Sequence, residues 1–192
     1  MDSIRVLIAE DETLVAMGLA AMLERLGHEV VGKARNGDET IRLADETNPD
    51  LIITDIKMPG MDGLTAVNAI LTERQIPVVV LTAYSDAELI QQADEIGVAA
   101  YLTKPVNEAA LKPAITLAVS RFKQLQLLKK EVGTLKQALE DRKLVERAKG
   151  IIMEKQKFSE EEAFKFLQKQ SSKRNIKLVE LSRLIIDASD LL

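Results

Sequence analysis

The sequence contains no cysteine, no tryptophan and a single histidine, and only six of its 192 residues are aromatic. The lack of cysteine excludes disulfides and thiolate zinc sites and favours a cytoplasmic protein. The lone histidine, His28, argues against a catalytic triad or a histidine metal cluster. No apolar run approaches the roughly 18 residues of a membrane span, and the acidic first segment is unlike a signal peptide. We therefore expect a cytoplasmic protein that is not attached to a membrane.

Charge is distributed unevenly along the chain. Residues 1–120 contain nine Lys and Arg against 19 Asp and Glu, whereas residues 142–192 contain 12 against eight. The segment between them, residues 121–141, contains five against three. An acidic first part and a basic last part indicate two units with different partners.

Short apolar runs rich in β-branched residues alternate with helical patterns through the first part of the chain. The predicted strands are residues 4–9, 29–34, 51–55, 77–83 and 99–102. Such alternation builds a parallel sheet that is covered on both faces, because each parallel crossover needs a helix. We therefore predict an α/β fold with a doubly wound, five-stranded parallel sheet in residues 1–120. Ligands of such sheets bind at the carboxyl ends of the strands.

The remainder of the chain is predicted to be helical, beginning with a long helix. An apolar stripe with heptad a/d spacing predicts a coiled coil over residues 121–141, formed by Leu125, Leu128, Val132, Leu135 and Leu139. A single helix that packs this stripe onto its own chain is the alternative; we favour a dimer. Residues 142–192 are predicted to form a small all-α domain of three helices. Its second helix begins with a capping box made by Ser159 and Glu162.

Polar side chains follow four of the predicted strands. Glu10 and Asp11 come after the first strand, Asp55 ends the third, Thr82 ends the fourth, and Lys104 follows the fifth. Crowded carboxylates repel one another unless a cation lies among them, and their hard oxygen ligands suit Mg²⁺. A carboxylate beside Mg²⁺ is a reasonable nucleophile towards a phosphoryl group and would form an aspartyl phosphate. The ammonium would then pair with the added negative charge, and the threonine hydroxyl would donate to a phosphoryl oxygen.

The segments AEDE, TDIKMPGMDG, LTA and YLTKP give residues 1–120 a resemblance to the receiver domain of two-component response regulators. The resemblance implies a flavodoxin-like fold, a sensor histidine kinase as partner, and Asp55 as the phosphoacceptor. It implies Mg²⁺ ligands from Glu10, Asp11, Asp55 and the backbone carbonyl of Lys57.

The same resemblance implies a switch next to the phosphoacceptor. Thr82 and Tyr101 would form the switch pair, and Lys104 would pair with the phosphate. The bond between Lys104 and Pro105 would be cis. Lys57 and Tyr84, which flank the pocket, would affect the lifetime of the phosphate.

The basic last part has two interpretations from charge alone. A DNA-binding helix-turn-helix needs a recognition helix with cations, and the third helix here carries one Arg183 against three acidic residues. The basic faces of the first two helices could bind nucleic-acid phosphates, or they could be solvated faces with ion pairs.

Residues 142–190, which include AKGIIM and SEEEAF, resemble the ANTAR domain, an RNA-binding module of transcription antiterminators. The resemblance implies binding of paired RNA hairpins in leader transcripts. The candidate RNA-binding residues are Arg142, Arg147, Lys149, Gly150, Lys173 and Arg174. The expected core residues are Ala148, Ile152, Ala163, Phe164 and Leu167. For Phe164 the alternative is that the ring stacks on a base; its apolar setting favours packing in the core.

Together these patterns predict a response regulator rather than an enzyme, in which phosphorylation of Asp55 promotes a homodimer that binds two RNA hairpins. The alternative is a phosphorylation-controlled regulator that binds a protein or DNA and no RNA.

Overall fold

A computed structural model of the chain describes residues 3–83 and 87–190. The chain divides into two compact units, residues 1–126 and 127–192. None of the helices in the described ranges combines the length and the apolar character that crossing a membrane requires.

The first unit contains the predicted parallel sheet. Its described residues form five parallel strands in the order β2-β1-β3-β4-β5. The strands are β1 (Arg5–Ala9), β2 (Glu29–Ala34), β3 (Leu51–Asp55), β4 (Val78–Thr82) and β5 (Ala100–Thr103). The helices between them are α1 (Thr13–Arg25), α2 (Gly37–Thr47), α3 (Gly63–Glu73) and α4 (Ala87–Ile96), and α5 (Glu108–Gln156) follows the last strand. The predicted fold class is confirmed.

Side chains alternate between the two faces of the sheet, and both faces are covered. Val6 and Ile8 of β1 belong to a core cluster with residues of α1 and the start of α5, whereas Leu7 lies on the opposite face, in a cluster with residues of α2, α3 and α4. All three side chains are fully buried. This alternation is the period of a β-strand, and burial on both sides explains why the strands are apolar throughout.

A glycine fixes the loop that follows β3. A Cβ atom at Gly63 would lie 1.8 Å from the carbonyl oxygen of Asp55, so a larger residue would force the backbone to shift. The amide of Gly63 donates to the carbonyl of Ile56 at 2.9 Å. Asp62 caps α3 by accepting from the amide of Thr65 at 2.7 Å. The start of α3 is thereby held against the end of β3, where Asp55 lies.

The second unit contains the end of α5 together with α6 (Glu160–Arg174) and α7 (Leu178–Asp190). The capping box at the start of α6 is present as predicted, since Ser159 and Glu162 bond each other's backbone amides. Ala148, Ile152, Ala163 and Leu167 are buried in its core, as expected. The core is completed by Leu181 and Ile186 of α7. The predicted three-helix arrangement is confirmed, and its first helix is continuous with the predicted coiled-coil segment.

The heptad stripe lies on the exposed surface of α5. The exposed fractions of its five side chains range from 48% at Leu125 to 62% at Leu135. We define Leu125, Leu128, Val132, Leu135 and Leu139 as the apolar stripe. Each of these side chains is about half exposed, so none of the five is buried among the residues that the structure describes.

Candidate functional site

Three carboxylates converge at the carboxyl ends of the strands. Glu10 follows β1, Asp11 comes next, and Asp55 ends β3, and one oxygen of each lies within 4.8 Å of the others. Glu10 is 1% exposed, whereas Asp11 is exposed to solvent. The parallel order of β1 and β3 places these residues together, because both strands end at the same edge of the sheet.

Lys104 is the counterion of this cluster. Its Nζ atom lies 2.6 Å from Asp55 Oδ2 and 2.7 Å from Glu10 Oε2. The peptide bond between Lys104 and Pro105 is cis, as the resemblance implied. The amide of Lys104 also donates to the carbonyl of Thr82 at 3.0 Å, which fixes the start of this loop to β4.

The three carboxylates carry more negative charge than Lys104 balances, and a bound cation would reduce the repulsion between them. Burial raises the pKa of Glu10, and the nearby ammonium of Lys104 offsets this effect only in part. Burial lowers the pKa of Lys104, but its interactions with Asp55 and Glu10 outweigh burial and raise the pKa overall. The ammonium is therefore charged at neutral pH, and one positive charge faces three carboxylates.

The donor set fits Mg²⁺. Glu10 Oε2 is buried, and its contact with Lys104 is an ion pair without good hydrogen-bond geometry. The three carboxylates offer hard oxygen atoms, the ligand type that Mg²⁺ prefers. Asp11, Asp55 and Lys57 line a pocket of about 270 Å³ together with Thr82 and Lys104. Lys57 is therefore at the edge of the pocket, where its backbone carbonyl was expected to act.

Thr82 and Tyr101 lie on neighbouring strands. Thr82 ends β4 and is 3% exposed, and its hydroxyl donates to the carbonyl of Ala83 at 3.0 Å. Tyr101 pairs with Val80 in the ladder between β4 and β5. It therefore lies on the strand next to Thr82, offset from it by two residues along the strand direction. Tyr84 lies outside the described residues.

The hydroxyl of Tyr101 is bonded to α4. It donates to Asp94 Oδ1 at 2.6 Å. Burial and, after it, this carboxylate raise the pKa of Tyr101 well above its ordinary value. Sequence reasoning missed Asp94, because nothing in the spacing of a helical carboxylate distinguishes it from a solvated one.

The candidate RNA-binding residues occupy different surroundings. Arg142, Arg147 and Gly150 are exposed on α5, and a Cβ atom at Gly150 would meet nothing within 4 Å. Lys173 and Arg174 are exposed in the last turn of α6. At about 1.5 Å per residue, they lie roughly 20 Å along α6 from its first residue.

Lys149 is buried, in contrast to the other cations of this set. Its side chain is 9% exposed, and Nζ lies 2.7 Å from Glu146 Oε2 and 2.7 Å from Glu160 Oε1. These two carboxylates raise the pKa of Lys149, and the ammonium in turn lowers the pKa of Glu160. Glu146 is one turn away on the same helix, but Glu160 comes from the start of α6. The contact between Lys149 and RNA stays a prediction.

Phe164 was expected in the core, and that expectation is wrong. Its side chain is 38% exposed. It lines a surface groove with Glu146, Lys149, Glu160 and Glu161.

Comparisons with known proteins agree with the two resemblances. Residues 6–116 match the response regulator receiver domain, and residues 133–186 match the ANTAR domain. The chain is 46% identical over 183 residues to the transcriptional regulatory protein PdtaR of Mycobacterium tuberculosis, which covers 95% of this chain and 89% of that protein.

Further relatives match the first unit. The transcriptional regulatory protein LiaR of Bacillus subtilis is 42% identical over 117 residues, covering 60% of this chain and 56% of that protein. A solved structure, the signal receiver domain of a modulated diguanylate cyclase from Desulfovibrio desulfuricans G20, has a TM-score of 0.60 at 34% identity. It covers 64% of this chain and 98% of that chain. The chain thus belongs to the response regulators and combines an N-terminal receiver domain with a C-terminal ANTAR domain.

Proposed function

We propose that the protein is a phosphorylation-dependent transcription antiterminator that binds paired RNA hairpins in leader transcripts. The observation that carries the proposal is the placement of Asp55, 2.6 Å from Lys104 and within reach of two further carboxylates. This arrangement has a nucleophile, a counterion for the added charge, and a set of oxygen ligands for a divalent cation.

Asp55 would accept a phosphoryl group from a phosphohistidine of a sensor histidine kinase. A carboxylate oxygen of Asp55 forms the new bond to phosphorus as the bond from phosphorus to the histidine nitrogen breaks. Glu10, Asp11, Asp55 and the carbonyl of Lys57 would hold Mg²⁺, which when bound neutralises charge on the phosphoryl oxygens. Lys104 is already bonded to Asp55 and is placed to pair with the phosphate.

Phosphorylation would be transmitted through Thr82 and Tyr101. The phosphoryl group brings a charge of roughly −1.5 to −2 and strong acceptor oxygens. The hydroxyl of Thr82, which now donates to the carbonyl of Ala83, would turn and donate to a phosphoryl oxygen. Tyr101 would then leave Asp94 and turn into the space beside Thr82, which changes the surface formed by α4 and β5.

Two phosphorylated copies would associate through residues 121–141. The apolar stripe is exposed in the single chain, and its heptad spacing suits a parallel coiled coil. A dimer presents two ANTAR domains to two hairpins of one transcript. The second contact is then intramolecular, so dimerisation supplies affinity that one domain lacks.

The basic surface of the second unit would bind the RNA. Arg142 and Arg147 are exposed on α5, and Lys173 and Arg174 are exposed at the end of α6. Cations on the surface bind nucleic-acid phosphates and release condensed counterions, so binding should weaken as salt rises.

Charge reversal tests which class of partner this surface binds. The purified protein is titrated with a two-hairpin RNA and with duplex DNA at fixed salt. Arg147→Glu should abolish RNA binding, whereas Lys33→Glu, an exposed lysine of the receiver, should leave it unchanged. A preference for duplex DNA would support a DNA-binding regulator. No binding to either nucleic acid would support regulation through protein contacts alone.

A further inference from the structure

The loop that follows Asp55 has a closed base and a tight turn. We define residues 57–62 as the pocket loop. The residues on either side of it are bonded to each other, because the amide of Gly63 donates to the carbonyl of Ile56 at 2.9 Å. Within the loop, Gly60 has a φ of 74°, and a proline followed by such a left-handed glycine is typical of a type II turn.

One side chain of the pocket loop is buried beneath the ends of two strands. Met58 is 8% exposed and forms a small core cluster with Ala9 of β1 and Ala34 of β2, against which Leu43 of α2 packs. Ala9 directly precedes Glu10, and the amide of Glu10 donates to the carbonyl of Ala34 at 2.9 Å. Met58 therefore packs against the backbone that carries the first carboxylate of the pocket.

The pocket loop also contacts the start of α2. The amide of Gly37 donates to the carbonyl of Met61 at 2.9 Å. A Cβ atom at Gly37 would lie 2.5 Å from Met61 Cγ and 2.8 Å from the carbonyl oxygen of Met61, so a larger residue would push the pocket loop away. Asn36 caps the same helix by accepting from the amide of Glu39 at 2.9 Å. The pocket loop thus lies against a fixed helix end.

These contacts bear on a backbone atom of the cation site. The carbonyl of Lys57 is the backbone ligand expected for the cation, and Lys57 directly precedes Met58. A carboxylate can turn about its side-chain bonds to meet a cation, whereas a carbonyl moves only with its chain. The expected ligands come from two segments, residues 10–11 and 55–57. Because Met58 continues one segment and packs on the residue before the other, its burial sets the separation between them.

We propose that Met58 is a positioning residue of the divalent-cation site and makes the site selective for Mg²⁺ over Ca²⁺. Mg²⁺ requires near-ideal octahedral geometry with ligands at about 2.0–2.1 Å, whereas Ca²⁺ accepts ligands at about 2.3–2.6 Å in flexible geometries. A fixed pocket loop holds the carbonyl at one distance, which suits the smaller ion. Gly37 has the same role through Met61. This role rests on the proposed function, in which the cation assists phosphorylation of Asp55.

Calorimetric titration of the full chain with Mg²⁺ and, separately, with Ca²⁺ tests this role. Met58→Ala should weaken Mg²⁺ binding about tenfold, the loss typical of groups that orient metal ligands. Ca²⁺ binding should change by less than about threefold, because Ca²⁺ tolerates a looser site. Met58→Leu conserves volume and should keep the wild-type ratio of the two affinities. Gly37→Ala should lower that ratio as Met58→Ala does, although Gly37 does not line the pocket.

Ile115→Ala is the matched control, because it also shortens a buried side chain. Ile115 is fully buried in the core cluster on the other face of the sheet, away from the pocket loop. The control should lower the melting temperature and keep the ratio of Mg²⁺ to Ca²⁺ affinity. If that ratio falls equally in Ile115→Ala and Met58→Ala, Met58 only stabilises the fold and the proposal is overturned.

Two results distinguish a failure of this role from a failure of the proposed function. Wild-type protein that binds neither cation would overturn the proposed phosphorylation site and the role of Met58 together. Wild-type protein that binds Mg²⁺, with the same ratio of affinities in Met58→Ala and Gly37→Ala, would overturn the positioning role and leave the proposed function in place. If Met58→Ala does not fold, Gly37→Ala decides alone, and an unchanged ratio in that variant overturns the proposal.

Discussion

The bond between Tyr101 and Asp94 should hold the receiver in its unphosphorylated conformation. If Tyr101 must leave Asp94 when Asp55 is phosphorylated, removing the carboxylate makes that movement easier. Asp94→Ala deletes the acceptor at 2.6 Å and leaves the phosphorylation site intact. Glu95→Ala is the matched control, because it removes the neighbouring exposed carboxylate of α4.

The size of the effect follows from the kind of bond. A hydrogen bond to a charged group contributes about 1.5–3 kcal/mol. Asp94 is exposed, so water replaces part of the lost bond, and about 1 kcal/mol is the appropriate figure. At about 1.4 kcal/mol per factor of ten, this corresponds to roughly a fivefold shift towards the active conformation.

Sedimentation of the full chain with and without a phosphoryl donor measures this shift. Without donor, Asp94→Ala should associate about fivefold more tightly than wild type, and with donor the two proteins should be alike. The pKa of Tyr101 should also fall in the variant, because only burial then raises it, and absorbance titration detects this change. Equal association constants for Asp94→Ala, Glu95→Ala and wild type without donor would refute the role of the bond.

Three further perturbations have defined outcomes. Lys104→Ala should tighten Mg²⁺ binding about tenfold in calorimetry, because a competing cation 2.7 Å from Glu10 is removed. In sedimentation of the same variant, the phosphoryl donor should no longer promote dimers. Gly63→Ala should destabilise the chain by about 3 kcal/mol in chemical unfolding, since the new Cβ would overlap a backbone oxygen. Gly133 has open space around it, so Gly133→Ala should instead stabilise the chain by about 0.5–1 kcal/mol. A more stable Gly63→Ala than Gly133→Ala would contradict the structure. Lys149→Met should remove a pH dependence of stability. Because the pKa of Glu160 is lowered, its pair with Lys149 stabilises the fold above about pH 4.5, and this stabilisation is lost as pH falls through the lowered pKa. Because the pKa of Lys149 is raised, the stabilisation is also lost as pH rises beyond about 10.5. Melting temperatures across pH should therefore decline at both ends more steeply in wild type than in this variant.

Much of the fold was predictable because its signals are local. Alternating strand and helix patterns require a parallel sheet, and the capping box of Ser159 and Glu162 lies within one helical turn. The proximity of Glu10, Asp55 and Lys104 was also predictable, although these residues are far apart in sequence. In a parallel sheet the residues that follow each strand meet at one edge, so chain order alone indicates that they are neighbours.

The contacts that sequence reasoning missed depend on how helices are placed in space. Asp94 of α4 meets Tyr101 of β5, and Glu160 meets Lys149 across the loop between two helices. Charged residues on helices usually face solvent, so their spacing favoured ion pairs within one helix instead. No local pattern specifies which carboxylate faces a residue of another element.

The exposure of Phe164 follows from its position on α6. Ala163 and Leu167 are four residues apart and are both fully buried, so they define the core face of α6. Phe164 is one residue beyond Ala163, which turns its side chain by about 100° around the helix. Its apolar character favoured a place in the core, whereas its position on α6 indicated the edge of the buried face.

The central claim is that the aspartyl phosphate controls RNA binding. The most direct test measures the affinity of the full chain for a two-hairpin RNA with Mg²⁺, in the presence and absence of a phosphoryl donor, for wild type and Asp55→Ala. The account predicts that the donor strengthens binding by wild type, leaves Asp55→Ala unchanged, and has little effect on binding to a single hairpin. Equal affinity of wild type with and without donor would contradict the account.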